Sequence, residues 1–323
     1  MMLVNCKIWR AWWGVVAVAL VCTTTSLAGG ITLRVGDQKG GMQSLLSASG
    51  ELGGLPYQIK WSEFPAASPL LEALNASAID VGSVGNAPFL FAYATGVPAR
   101  VIAVVQQNEE GLAIVVPAKS PIQNVHDLKG RRIGTGRGSI GHYLVLATLE
   151  KAGLHIDDVN LVFLGPIDAR AALVSGAIDA WATWDPYTSM LELSDGARRV
   201  ADGAGFPGNT GYLVARLDAI REKRAALADF AGRVDRARQW ALQHTDQYAD
   251  TWAKITGNSQ AVARRWISRA QSHGVAMDDA LVAGQQSIVD LYAKAGVIKS
   301  RFIVSEAFDR SFNAAVTTRR KAW

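Results

Sequence analysis

From Ile31 to Tyr187 short apolar runs alternate with stretches that are apolar on one side only, which predicts strands and helices in turn. Ile31 to Val35, Ile59 to Phe64 and Ile79 to Val84 read as strands. Met42 to Leu52, Ser68 to Ala76 and Ala87 to Thr95 read as helices, the last with Pro88 in its first turn, where a missing N–H costs nothing. Strand followed by helix, repeated, predicts a mostly parallel sheet. Val101 to Val105 and Leu112 to Val116 are apolar throughout and rich in valine, as strands buried on both faces are. Later come Val159 to Leu164 and Tyr212 to Ala215, the second as a returning strand. From Ala219 the pattern is helical. Val234, Ala237, Trp240, Ala241, Tyr248, Trp252 and Ile255 recur at helical spacing, and such a stripe belongs to a packed helix face rather than to a cofactor.

The pattern occurs twice. Arg34-Val35-Gly36-Asp37-Gln38-Lys39-Gly40 aligns with Arg132-Ile133-Gly134-Thr135-Gly136-Arg137-Gly138, and Leu74-Asn75-Ala76-Ser77-Ala78-Ile79-Asp80 aligns at nearly the same offset with Leu173-Val174-Ser175-Gly176-Ala177-Ile178-Asp179. Asn86 then matches Asp185. Two lobes of like topology are expected, with a cleft between them. Lobe 1 is drawn over residues 29–117, lobe 2 over 118–210, and residues 211–323 return to lobe 1 and end in helices that brace the hinge.

Residues 1–28 read as a cleavable secretory signal: Lys7 and Arg10, the apolar stretch Ala11 to Val21, then Ser26-Leu27-Ala28. Cys22 follows Val21, a poor fit for a lipoprotein site. Both cysteines, Cys6 and Cys22, would leave with the signal, which removes thiol chemistry and disulfides from the expected mature chain. The formal charge of +5 falls to +3 with Lys7 and Arg10 gone. That suits a small anionic ligand but not nucleic acid, because no basic block or aromatic-basic stripe is present.

Four strand-to-helix junctions could face the cleft: Gly36 to Met42, Gly82 to Pro88, Gly136 to His142 and Trp184 to Tyr187. In open parallel sheets ligands lie beyond the carboxyl ends of the strands, and a helix start offers N–H donors to an anion. Gly136-Arg137-Gly138-Ser139-Ile140-Gly141 also fits the dinucleotide fingerprint, but the acidic residue expected about 20 positions on is missing. Arg137 and Lys39 are equivalent in the repeat, one cation from each side. Asn86, Ser139 and Asp185 suit helix caps as well as ligand contacts. Trp184 could wall the cleft, and Asp185, if it pointed inward, would favour a ligand carrying an ammonium group. His142 reads as a packing or hydrogen-bonding residue. The five histidines show no metal-ligand spacing, no nucleophile elbow exists, and neither a catalytic set nor a metal or cofactor site is expected.

These segments, with Glu63-Phe64-Pro65-Ala66, Ile79 to Gly85, Asp127-Leu128-Lys129-Gly130, Asp168-Ala169-Arg170-Ala171-Ala172 and Trp181-Ala182-Thr183-Trp184-Asp185-Pro186-Tyr187, resemble the aliphatic sulfonate-binding proteins of ATP-binding cassette importers. The resemblance runs from Ile31 to about Asp218 and fades in the helical tail. It implies an α/β fold of the two-lobed periplasmic type II class, a monomer that closes on an alkanesulfonate and delivers it to a permease with a cytoplasmic ATPase. Carried over by position, Gln38, the backbone near Gly85 and Asn86, the Gly138-Ser139 turn and Trp184 should hold the sulfonate or wall its tail; Ser83, Arg137 and Asp185 complete the candidate ligand set. Asp37 stands where that family commonly has tyrosine, and Arg137 where it commonly has lysine. The alternatives are the same fold with taurine, an aromatic sulfonate or another small anion, and an enzyme of thiamine-precursor synthesis.

Overall fold

The computed structural model describes residues 30–206, 209–299 and 301–316, so the signal expected over 1–28 lies outside the described residues. The chain begins with β1 (Thr32–Gln38), α1 (Met42–Ser49), β2 (Gln58–Phe64), α2 (Ala67–Asn75), β3 (Val81–Gly85), α3 (Asn86–Tyr93) and β4 (Ala99–Gln106). There follow β5 (Leu112–Val116), β6 (Arg132–Thr135), α4 (Ile140–Lys151), β7 (Asn160–Phe163), α5 (Pro166–Ser175), β8 (Ala180–Trp184), α6 (Tyr187–Ser194) and β9 (Arg198–Asp202). The last part holds β10 (Thr210–Arg216), α7 (Leu217–Glu222), α8 (Arg224–Gln243), α9 (Thr245–Thr256), α10 (Gln260–Ala270), β11 (His273–Val275) and α11 (Asp279–Lys294). Helix α1 stops short of Leu52 because Gly50, at φ 78°, takes the left-handed conformation that ends a helix.

Two sheets result. One has the order β11-β4-β10-β3-β1-β2 and the other β7-β6-β8-β5-β9. β1, β2 and β3 run parallel, as do β6, β7 and β8; beside each trio lies one reversed strand, β10 in the first sheet and β5 in the second. The expected crossing at Pro117 is corrected here. β5 pairs with β8 and β9, so the chain changes lobes before Leu112 rather than after Val116. Every residue of β5 is buried, and that burial is the same whichever sheet takes the strand. The two crossing segments lie together: Gln107 N–H donates to Asn209 O at 2.9 Å and Gly203 N–H to Leu112 O at 3.0 Å.

The repeat has a physical basis in each lobe. Asp80 accepts from the backbone N–H of Arg34 at 2.8 Å and from its Nε at 3.0 Å, while Asp179 accepts from Arg132 N at 2.8 Å and Nε at 3.1 Å. Arg34 also reaches Ser77 O, and Arg132 reaches Gly176 O, each a residue with positive φ at the end of the preceding helix. A Cβ at Gly36 or Gly134 would collide with the δ-methyl of Ile79 or Ile178, so each glycine lets its strand lie against the isoleucine of the Ala-Ile-Asp segment.

The tail packs mainly on the first lobe. α8 and α9 cover α1, and β11 extends the first sheet along β4, a strand too short for its period to show in the sequence. In the aromatic stripe Val234, Ala237, Ala241, Tyr248 and Trp252 are buried as expected, whereas Ile255 is exposed. Two tail helices reach further: α10 packs on α6, and α11 packs on both α3 and α4. Among the described residues no helix is long and apolar enough to cross a membrane.

Candidate functional site

The four junctions were expected to offer free N–H donors, and at three of them a carboxylate or carboxamide of the chain itself takes up one or more of those donors. At the start of α1 the donors are filled by the chain itself. The Asp37 carboxylate accepts from the N–H groups of Gln38 at 3.0 Å, Met42 at 2.9 Å and Gln43 at 2.8 Å. At the start of α3 the fully buried Asn86 accepts from Ala87 N–H at 2.8 Å, and its Nδ2 donates to Gln285 Oε1 at 2.8 Å. At the start of α6 Asp185 Oδ1 accepts from Ser189 N–H at 2.9 Å and from its hydroxyl at 2.7 Å. Each of these three acids or amides answers the positive helix end with its own oxygen.

The α4 start differs. Ser139 is its N-cap, accepting from His142 N–H at 3.2 Å, and its Oγ lies 3.3 Å from Thr135 Oγ1. Gly138, at φ 67°, packs its α-carbon against the Phe91 ring, and its N–H donates to His142 Nδ1 at 3.1 Å. Burial, helped by the Arg137 charge, lowers the His142 imidazole to about 4, so the ring is neutral and Nδ1 is free to accept. His142 is thus the hydrogen-bonding residue its position suggested. The first-turn N–H groups of Ile140 and Gly141 carry no hydrogen bond among the described residues, as the geometry of a helix start requires unless something caps them.

The other ligand candidates fall into two groups. In the first lobe Gln38 donates through Nε2 to Ser83 O at 3.3 Å, and Gly85 pairs with Gly211 directly before α3, so Gln38, Ser83, Gly85 and Asn86 form one group. In the second lobe Thr135 Oγ1 donates to Ala182 O at 3.2 Å, joining the Gly138-Ser139 turn to the strand that ends in Trp184. Trp184 is half-buried and meets Tyr187 edge-on, ring centroids 6.1 Å apart. Arg137 is exposed, with its guanidinium 3.9 Å from the centre of the Phe163 ring, a cation–π contact that leaves its charge near the turn. Asp185 is turned into the protein. Its side chain is 8% exposed, and its Oδ2 lies 3.4 Å from Arg269 on α10. Burial raises its carboxyl against the pull of Ser189 and Arg269.

Sequence reasoning read the tail as helical but missed the part that α11 plays in the site. Gln285 and Tyr292 lie on its buried face with Val282, Ile288 and Val289, and a glutamine on an apolar stripe was the signal available. Gln285 Oε1 accepts from Asn86 and, at 2.9 Å, from the Tyr212 hydroxyl. The Tyr292 hydroxyl donates toward Ser139 O at 3.0 Å and Gly138 O at 3.2 Å.

Asp37 makes the first lobe's turn sensitive to pH. Burial pushes its carboxyl up to about 6, and the three N–H bonds and Arg238 oppose this without cancelling it. A raised folded value means that the stability it contributes is full below about pH 4 and is lost as pH rises through the folded value. Relative to Asp37→Asn, the wild type should lose stability between about pH 4 and 7 and run parallel to it above. Melting temperatures of both proteins across that range check this, and a constant difference would contradict it.

The NMT1/THI5 like family model matches residues 63–248. A protein of Escherichia coli (strain K12) named for binding aliphatic sulfonates is 34% identical over 264 residues, covering 80% of this chain and 83% of that one. The alkanesulfonate-binding protein SsuA of Xanthomonas axonopodis pv. citri, solved with MOPS bound, superposes with a TM-score of 0.80 at 32% identity, over 86% of this chain and 98% of that one. The desulfurization enzyme DSZB superposes with a TM-score of 0.63 at 20% identity, over 88% of this chain and 98% of that one, a likeness of fold alone.

Proposed function

Because this chain belongs to the NMT1/THI5 like family and stands among its aliphatic sulfonate-binding proteins, we propose that it is the solute-binding component of an ATP-binding cassette importer. In this reading it is exported to the periplasm, binds an alkanesulfonate between its lobes and delivers it to a membrane permease driven by a cytoplasmic ATPase. The observation that carries the reading is the α4 start. Of the four junctions it alone lacks a carboxylate or carboxamide of its own at the helix end, and it presents Ser139 beside the N–H groups of Ile140 and Gly141. A sulfonate is ionised at every working pH and accepts hydrogen bonds without donating any, so a helix end with unmet donors matches it. Gln38 and the Ser83 to Asn86 segment supply the opposite wall, and Trp184 the apolar side for an alkyl tail.

Taurine is the weaker alternative, because the carboxylate assigned to its ammonium, Asp185, is engaged with Ser189 and Arg269. Catalysis has no support in the site either. The partners of Ser139 Oγ are Thr135 and a backbone N–H, not an imidazole that could take its proton.

Two substitutions separate the head-group site from the tail wall. Ser139→Ala should weaken every alkanesulfonate by a similar factor, about tenfold, the value of one hydrogen bond to a charged group. Trp184→Ala should cost little for methanesulfonate and progressively more for longer tails, up to about 0.8 kcal/mol for each methylene that loses its wall. Titration calorimetry over a series of chain lengths reads both. A Trp184→Ala loss that is the same at every length would place the tail elsewhere.

A further inference from the structure

Helix α11 touches both halves of the candidate site through buried polar side chains. Gln285 and Tyr292 stand seven residues apart on one face, a rise of about 10 Å. Gln285 holds Asn86 at the start of α3, and Tyr292 holds the carbonyls of Gly138 and Ser139 at the start of α4. Tyr292 is fully buried among Phe91, His142 and Tyr143, and burial keeps its hydroxyl far above the ordinary value, so it stays a donor at any working pH.

We infer that Tyr292 and Gln285 are positioning residues for the sulfonate, and that α11, bonded to both helix starts, orients them in the arrangement of lobes that the structure shows. This rests on the sulfonate-binding reading above. The carbonyl and N–H of one trans peptide point in opposite directions. Ser139 O accepts from Tyr143 N–H at 3.1 Å within α4, and the Tyr292 hydroxyl adds a second bond to the same oxygen, so Tyr292 reinforces the direction of the Ile140 N–H, away from that oxygen and toward the helix end where an anion would lie. Gln285 acts on the other wall. Its Oε1 takes the Asn86 amide N–H, so the Asn86 oxygen must face Ala87 N–H and not the ligand. An acceptor turned toward a sulfonate would repel it. Neither residue needs to touch the ligand for this.

The test is Tyr292→Phe, which removes one oxygen and keeps the ring. Titration calorimetry with ethanesulfonate and butanesulfonate should show about tenfold weaker binding, by the same factor for both tails, since the loss falls on the head group. The double variant Ser139→Ala/Tyr292→Phe should lose less than the product of the two single factors, whereas Trp184→Ala/Tyr292→Phe should multiply. A purely structural role would not produce that difference in coupling. Wild-type affinity in Tyr292→Phe, a tail-dependent loss, or simple multiplication with Ser139→Ala overturns the proposal. If Tyr292→Phe fails to fold, Gln285→Met must show the same tail-independent loss or the proposal falls. Should the wild type bind neither sulfonate, the parent reading fails and this one with it; binding with no effect of Tyr292 removes this one alone.

Discussion

Gly141→Ala should abolish sulfonate binding and destabilise the protein, although alanine is the better helix former by about 1 kcal/mol. Gly141 lies in the first turn of α4, where the helix crosses β8. A Cβ there would sit inside contact distance of the Ala182 carbonyl oxygen and 2.7 Å from Thr135 Oγ1. The first obstacle is backbone in the middle of a sheet, which cannot rotate aside as a side chain could. The α4 start must then move off the strand, at the cost of about 1 to 3 kcal/mol typical of overpacking, and packing outweighs propensity. Its N–H groups move with it, away from the Gly138-Ser139 turn that they share with the ligand. The expected result is a melting temperature lower by several degrees and an affinity reduced at least about a hundredfold, more than removal of any single ligand-facing side chain. A lower melting temperature with intact binding would show that α4 does not hold the anion.

The second large effect separates the two copies of the repeat. Asp80 and Asp179 make the same bonds to Arg34 on β1 and Arg132 on β6, but the Asp80 side chain is 2% exposed and that of Asp179 is 28% exposed. Asp80 also accepts from Lys223 Nζ at 2.7 Å, which ties α7 and its following helix to the first sheet. Removing a buried partner leaves uncompensated charges behind. Asp80→Ala should therefore cost about 3 to 5 kcal/mol, a large part of the 5 to 15 kcal/mol that holds a domain folded. Asp179→Ala should cost about 1 kcal/mol or less, as exposed pairs do. Urea unfolding of both variants measures the contrast, and equal losses would contradict it. The pH dependence has a definite sign. Burial by itself would raise the Asp80 carboxyl, but hydrogen bonds from Arg34 and Lys223 more than reverse this and hold it below its ordinary value. Its contribution is thus full above about pH 4 and is lost as pH falls through the lowered folded value.

The two-lobed architecture was legible because a repeat constrains distant residues together. Arg34 with Asp80 and Arg132 with Asp179 are pairs whose spacing survives in both copies, and Gly36 and Gly134 answer Ile79 and Ile178 in the same way. The crossing point was not legible. A strand such as Leu112–Val116, apolar on both faces, looks the same in either sheet, and only its partners decide. The site was half legible. Glycine, serine and helix starts mark where an anion could lie, but they do not show that Asp37, Asn86 and Asp185 fold back on their own helices and take up donors there. For Asp185 the deciding partner, Arg269, lies on α10, in the tail where the family resemblance fades. Gln285 and Tyr292 lie there too.

The central claim is that the α4 start holds a sulfonate, and titration calorimetry of the purified chain against ethanesulfonate, butanesulfonate, taurine, sulfate and nitrate tests it most directly. The account predicts saturable one-to-one binding of the two alkanesulfonates, tighter for butanesulfonate, with taurine weaker and the inorganic anions weaker still. Silence across the panel, or sulfate bound more tightly than butanesulfonate, would contradict it.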